Sequence, residues 1–204
     1  AGGFQAVETA FRYLEVSGAE FVLVGGVDSY RYYLQQISIL DAEDRLLVEG
    51  AGEGFVPGEA GSFLLLATEN AVQKYKLNSL LTLAQPSSAA EEGHRYSSSP
   101  YRGDGLANAF RGALANAPQI AINQIYSSFN GERFGSKEFG VAMIRNGSRI
   151  SPAAKINHPA DCFGDIGAAF GPMLVSLMSH EKKCSGLAYC SSDGAYRSAI
   201  CAWK

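Results

Sequence analysis

Charge is scarce in this sequence. Asp, Glu, Lys and Arg make up 18% of its 204 residues, against about a quarter in an average globular domain, so part of the surface is expected to be covered by something else. The formal net charge is -3, and Lys and Arg are scattered with no basic stripe, which argues against nucleic acid as a partner. No stretch reaches the roughly 18 consecutive apolar residues that a membrane span requires. None of Cys162, Cys184, Cys190 and Cys201 forms a C-x-x-C pair, so no metal site is expected. A chain this apolar does not need disulfides, and the thiols are expected to be reduced and mostly buried in a cytoplasmic protein. In that compartment the sequon Asn146-Gly147-Ser148 carries little weight. The opening Ala1-Gly2-Gly3-Phe4 has no initiator Met and no basic leader; it is no signal peptide and reads like the interior of a longer polypeptide.

What is present is apolar patterning and glycine. The hydrophobic share is 47% and there are 23 glycines, enough for a substantial core with tight turns and close packing. Phe4, Val7, Ala10, Phe11 and Leu14 recur at helical spacing over residues 4–17, with Gly18 as the stop. Phe21 to Val24 and Ser62 to Ala67 are continuous apolar runs, as in strands buried on both faces, the first ended by Gly25-Gly26. Between them a helix is expected over 30–40 and a Gly-rich stretch over 50–61. Residues 68–76 read as a polar connection, 77–83 as a strand, and the Ser, Gly and Pro of 85–105 as a long loop of the kind that is often functional. Asp104 is a plausible cap for a helix running to about Ala117. A strand over 121–127, a helix over 136–145, a short strand over 153–156 and an apolar helix over 166–179 follow. Ser192-Asp193-Gly194 then marks a terminal hairpin. The pattern is that of a layered α/β domain.

Three stretches together carry a family resemblance. Val22 to Gly26 (VLVGG) follows the opening helix, Gly54 to Leu66 (GFVPGEAGSFLLL) is the most specific, and Lys155 to Gly171 (KINHPADCFGDIGAAFG) comes third. In this order they are similar to segments of the β-ketoacyl synthases, condensing enzymes of the thiolase-like superfamily. The resemblance implies two similar βαβαβαββ halves in an α-β-α-β-α sandwich. Residues 1–70 would be the end of the first half and 71–204 the whole second half. Strands of the first half that normally pair with 22–24 and 64–66 would be absent, leaving unpaired edges. A homodimer, or a heterodimer with a synthase-like subunit, is implied as well, with an acyl carrier protein or coenzyme A thioester as partner and no cofactor.

The resemblance also implies where chemistry would sit. Decarboxylative condensation needs a Cys thiolate at a helix N-terminus and donors for a developing oxyanion, two His or a His and an Asn in this family. The Cys position falls at Ala1 or just before it. Asn130-Gly131 best matches the first His-Gly, and Gly164-Asp165 occupies the second His turn. Asn130 can donate a hydrogen bond but cannot shuttle a proton at neutral pH, and an ionised Asp165 only accepts. Asn130 also reads as a turn residue and Asp165 as a helix cap. His158 is a lesser candidate for the site. His94, Arg95 and Arg102 in the long loop would touch a phosphate of the carrier or coenzyme A. Glu59 and Lys155 match family positions with structural roles, Glu59 as a buried carboxylate holding backbone N–H groups. Cys162 is expected to be a small buried thiol. Two functions compete: a partner or acyl-binding subunit without complete condensing chemistry, and an active 3-oxoacyl synthase whose nucleophile precedes Ala1. A purely structural interaction module is a weaker third.

Overall fold

A computed structural model describes residues 1–32, 34–50 and 52–204; position 33, within the helix expected over 30–40, and position 51, within the Gly-rich stretch, lie outside the described residues. The chain opens with helix α1 (Gly2–Ser17), whose apolar stripe buries Phe4, Val7 and Ala10. Gly18, at φ 71°, ends it in the left-handed conformation that stops helices. Strand β1 (Phe21–Ser29) pairs antiparallel with β2 (Glu59–Ala67), and α2 (Leu34–Ala42) lies between them in sequence. Then come α3 (Glu69–Tyr75), β3 (Thr82–Leu83), β4 (Ser87–Ala90), α4 (Asp104–Asn116), β5 (Ile122–Ser127) and α5 (Arg133–Asn146). The last elements are β6 (Ile150–Asn157), α6 (Ala160–Phe163), α7 (Phe170–Ser179), β7 (Ser185–Ser191) and β8 (Tyr196–Trp203).

The strands form two sheets. β1 and β2 make one, and the other runs β3-β8-β7-β5-β6, with β4 also on β8. β5 is parallel to both β6 and β7, and β7 returns antiparallel through the hairpin to β8. α1 and α7 pack between the sheets, joining Phe4, Val7, Leu174 and Met178 to Val24, Leu66, Ala188 and Ile200. On the far side of the larger sheet, α4 and α5 cover Ile125, Leu187, Tyr189 and Cys201. The layers run β-α-β-α, which is the thiolase-like order, and among the described residues no helix covers Leu23, Val27, Phe63 and Leu65 on the outer face of β1–β2.

That uncovered face is the main departure from the expected two-sided burial. Burial alternates along β2 and less regularly along β1, with Val24, Ser62 and Leu66 inward. The outward residues Leu23, Val27, Phe63 and Leu65 are 57–68% exposed. Gly25-Gly26 does not end β1, because its ladder to β2 continues to the pair Ser29 and Glu59.

Five local expectations also change. Residues 69–75 form α3, because the Thr68 hydroxyl accepts from the Ala71 N–H and caps it. Only Thr82–Leu83 of the strand expected over 77–83 is paired, and β4 forms inside the expected loop by pairing with β8. Gly103, at φ 72°, takes the cap position of α4 in place of Asp104. The apolar helix over 166–179 opens as a 3-10 turn over Gly167–Ala169 before α7.

Candidate functional site

A cavity of about 570 Å³ opens at the N-terminus of α1, walled by residues from seven parts of the chain. Ala1 and Gly2 form one side, and Cys190, Ser191 and Arg197 of the β7–β8 hairpin another. Asn130 and Asp165, far apart in sequence, meet here: the Asn130 amide donates to Asp165 Oδ2 at 2.8 Å. The second and third family-like stretches place Asp165. Its N–H donates to the Val56 carbonyl and its carbonyl accepts from the Gly58 N–H, both at 2.7 Å. Gly164 makes this approach possible, since it sits at φ +70° and a Cβ there would lie 2.5 Å from the Val56 oxygen. Asp165 Oδ1 accepts from the Gly167 N–H at 2.9 Å, a cap-like contact to the 3-10 turn before α7. Burial raises the Asp165 carboxyl above its ordinary range, and the Gly167 and Asn130 hydrogen bonds only partly oppose this.

Ion pairs fill the rest of the wall. Arg45, 6% exposed, grips Glu132 with Nε to Oε1 at 2.9 Å and Nη2 to Oε2 at 3.0 Å. It reaches Asp193 on the hairpin as well, at 2.9 Å. Burial works against the charged guanidinium, but Glu132 and Asp193 outweigh it and raise its pKa. Arg95 repeats the pattern, at 2.8 Å to Glu132 and 3.0 Å to Asp193. Deeper still, Arg197 Nε donates to Glu138 Oε2 at 2.6 Å, and the Ser191 hydroxyl donates to Glu138 Oε1. The Cys190 thiol is pushed up to about 11 by burial, so it is a neutral thiol at physiological pH.

The other expected site residues lie elsewhere. His158 packs edge-on to Phe129 with ring centres 5.5 Å apart and does not line the cavity. Neither does His94, whose Nδ1 is enclosed without a partner. Arg95 turns inward to two carboxylates, which removes it from the phosphate contact expected of the loop, while Arg102 stays exposed. Glu59 is exposed and accepts from the Ser29 hydroxyl, so it is not the buried carboxylate expected. That role falls to Glu91, 1% exposed, which gathers the N–H groups of Gly93, Arg102 and Gly105 and anchors both ends of the long loop. Lys155 stands exposed on β6, and Cys162 is exposed as well, because α6 is a single turn at the surface. Sequence reading missed Arg45, Glu132, Glu138, Asp193 and Arg197. Their one signal was being charged in a chain with few charges.

No family model and no curated protein sequence matches the chain. Its structure does match solved ketosynthases. The ishigamide ketosynthase/chain length factor superposes with a TM-score of 0.80 at 14% identity, over 98% of this chain and 58% of that one. A type II polyketide synthase ketosynthase, AntDE, solved with its acyl carrier protein AntF, gives 0.83 at 16% identity, over 98% and 60%. The oxazolomycin ketosynthase domain of Streptomyces albus gives 0.78 at 14%, over 99% and 44%. The fold is therefore the ketosynthase fold, and the chain spans about three-fifths or less of these neighbours' length.

Proposed function

We propose that this chain is a ketosynthase-like, acyl-binding subunit of polyketide-type metabolism that lacks a complete condensing centre. The observation that carries this reading is the cavity wall. At the α1 N-terminus it offers an amide, carboxylates and matched ion pairs, and none of the chain's three His lines it. Condensation requires donors that strengthen as negative charge develops. The Asn130 amide is already committed to Asp165 and Glu132. The likeness to a ketosynthase/chain length factor and to a ketosynthase held by its acyl carrier protein supports a synthase-like polypeptide and an acyl carrier protein as partners. A coenzyme A thioester is the alternative acyl donor. The open face at Leu23, Val27, Phe63 and Leu65 supports a polypeptide partner too. The four unbridged cysteines fit a reducing cytoplasm.

The test is intact-mass spectrometry of the natural full-length protein after incubation with hexanoyl- and malonyl-acyl carrier protein. No covalent acyl adduct and no condensation product are expected. An adduct on any cysteine overturns the inactive-subunit reading. One observation favours the active alternative: the α1 N-terminus opens on the cavity, where a thiolate immediately preceding Ala1 would gain from the helix dipole. An adduct on a residue there would decide for a working acyltransferase using Asn130 and Asp165.

A further inference from the structure

One side of the cavity is a thin wall made by α2 and the turn after it. Over residues 35–45 only Leu40 and Arg45 are buried. Gln36, Ile39, Leu40 and Glu43 share one face of the helix by their spacing and line the cavity, yet Ile39 is still 57% exposed. Among the named elements α2 packs mainly on the 3-10 turn Tyr30–Tyr32 that precedes it. A helix laid over a void gains little from burial, so its closed position depends on what fastens its ends. Arg45 is that fastening. Its N–H donates to the Leu40 carbonyl at 3.0 Å and closes the helix, and its guanidinium lies 5.5 Å from the centre of the Phe55 ring. From there it reaches across to Glu132 before α5 and Asp193 on the β7–β8 hairpin. Arg95 binds the same two carboxylates, so neither is left without a cation when Arg45 withdraws.

We propose that α2 is a lid over the cavity, latched shut by Arg45 on Glu132 and Asp193, and that release of this latch is the way in for an acyl group. The two states differ by one set of contacts. Closed, the guanidinium is shared between two carboxylates; open, it is hydrated and Arg95 alone holds them. Breaking a buried ion pair is costly chiefly because it strands the partner charge, and here Arg95 prevents that. Opening therefore exposes little apolar surface beyond Leu40 and leaves both carboxylates with a cation, which keeps the open state within thermal reach. Gly50 and Gly52, with no atom within 4 Å of where a Cβ would stand, leave room for a hinge beyond the latch. The lid rests on the acyl-binding reading for what it admits, but its opening is read below without any acyl ligand, so either can fail alone.

Two buried thiols make the test. Cys190 lines the cavity, whereas Cys201, equally buried, packs with α4 in the other core and does not. Native protein and Arg45→Met are labelled with iodoacetamide, and each cysteine is followed by mass spectrometry. Arg45→Met is expected to speed alkylation of Cys190 about tenfold or more while Cys201 keeps its native rate, because only the cavity has been opened. Leu40→Ala, which loosens the lid and keeps the latch, is expected to speed Cys190 in the same selective way and serves if Arg45→Met does not fold. Hydrogen exchange on native protein needs no variant, and the amides of residues 37–43 are expected to exchange about tenfold or more faster than those of α4. An unchanged Cys190 rate in the variants overturns the lid, as does a rise shared equally by Cys201, which would mark Arg45 as a support of the whole fold. Amides of α2 protected as well as those of α4 overturn it too.

Discussion

Replacing Glu138 by Ala should be among the most damaging single changes in this chain. Glu138 is 1% exposed and its partner Arg197 0%. The substitution leaves a guanidinium buried with only backbone carbonyls for company and strips the Ser191 hydroxyl of its acceptor. Removing one member of a buried ion pair costs about 3–5 kcal/mol, because the other charge stays desolvated and unmatched. The gain in helix propensity on α5 is below about 0.7 kcal/mol and does not change the sign. For a chain of this length each kcal/mol lowers Tm by roughly 2–4 °C, so a drop on the order of 6–20 °C is expected. Calorimetry and urea titration of native, Glu138→Ala, Arg197→Met and the double variant Glu138→Leu/Arg197→Met would measure it. The double variant should recover a large part of the loss, since no buried charge remains and the carbonyls of Ser192 and Gly194 lie in a partly exposed hairpin. A single Glu138→Ala cost under about 1 kcal/mol, or a double variant no better than the single, would refute the claim that the pair is mutually dependent.

Four further outcomes follow from the same structure. Asp165 is held above its ordinary pKa by burial, so the native state keeps its proton longer than the unfolded chain. Its stabilising share is whole below the unfolded value and is lost as pH rises through the folded one. Asp165→Asn should flatten the decline in urea midpoint between acid and neutral pH, and an unchanged pH profile would count against this. Cys162 should alkylate first with iodoacetamide at pH 8, because Cys190 and Cys201 are buried and pushed up to about 11 and about 12; a mass-spectrometric time course with Cys190 as fast as Cys162 contradicts it. Gly26→Ala should cost about 1–3 kcal/mol, since its Cβ would stand 2.2 Å from the Ala168 carbonyl oxygen. Gly147→Ala, with nothing within 4 Å and φ -58°, should be neutral or slightly stabilising by thermal melting.

Conformation was more legible than environment. The run Phe21 to Val24 is a strand, as its residues require, and the helical spacing of Phe4, Val7 and Ala10 gives α1. But an apolar residue at every strand position describes a setting with cover on both sides, and burial depends on what stands opposite. Here Val24 has α1 and α7 opposite it, while Leu23 faces outward and is exposed. The site shows the same limit. Asn130 and Asp165 were found through motif resemblance, and a hydrogen bond joins them. Arg45, Glu132 and Asp193 belong to no local pattern, and only the folding of three separate loops brings their charges together.

Those charges also determine what the cavity can do. A site that stabilises a forming enolate keeps donors in reserve, aimed at a charge that does not yet exist. In this cavity the donors of Arg45 and Arg95 already face Glu132 and Asp193, and Asn130 already faces Asp165. Turning any of them toward a new anion would strand a carboxylate, and the stranded carboxylate would repel that anion. A wall whose side-chain donors already face carboxylates fits the proposed acyl-binding subunit better than a condensing centre, because these donors are not aimed at a charge that forms later.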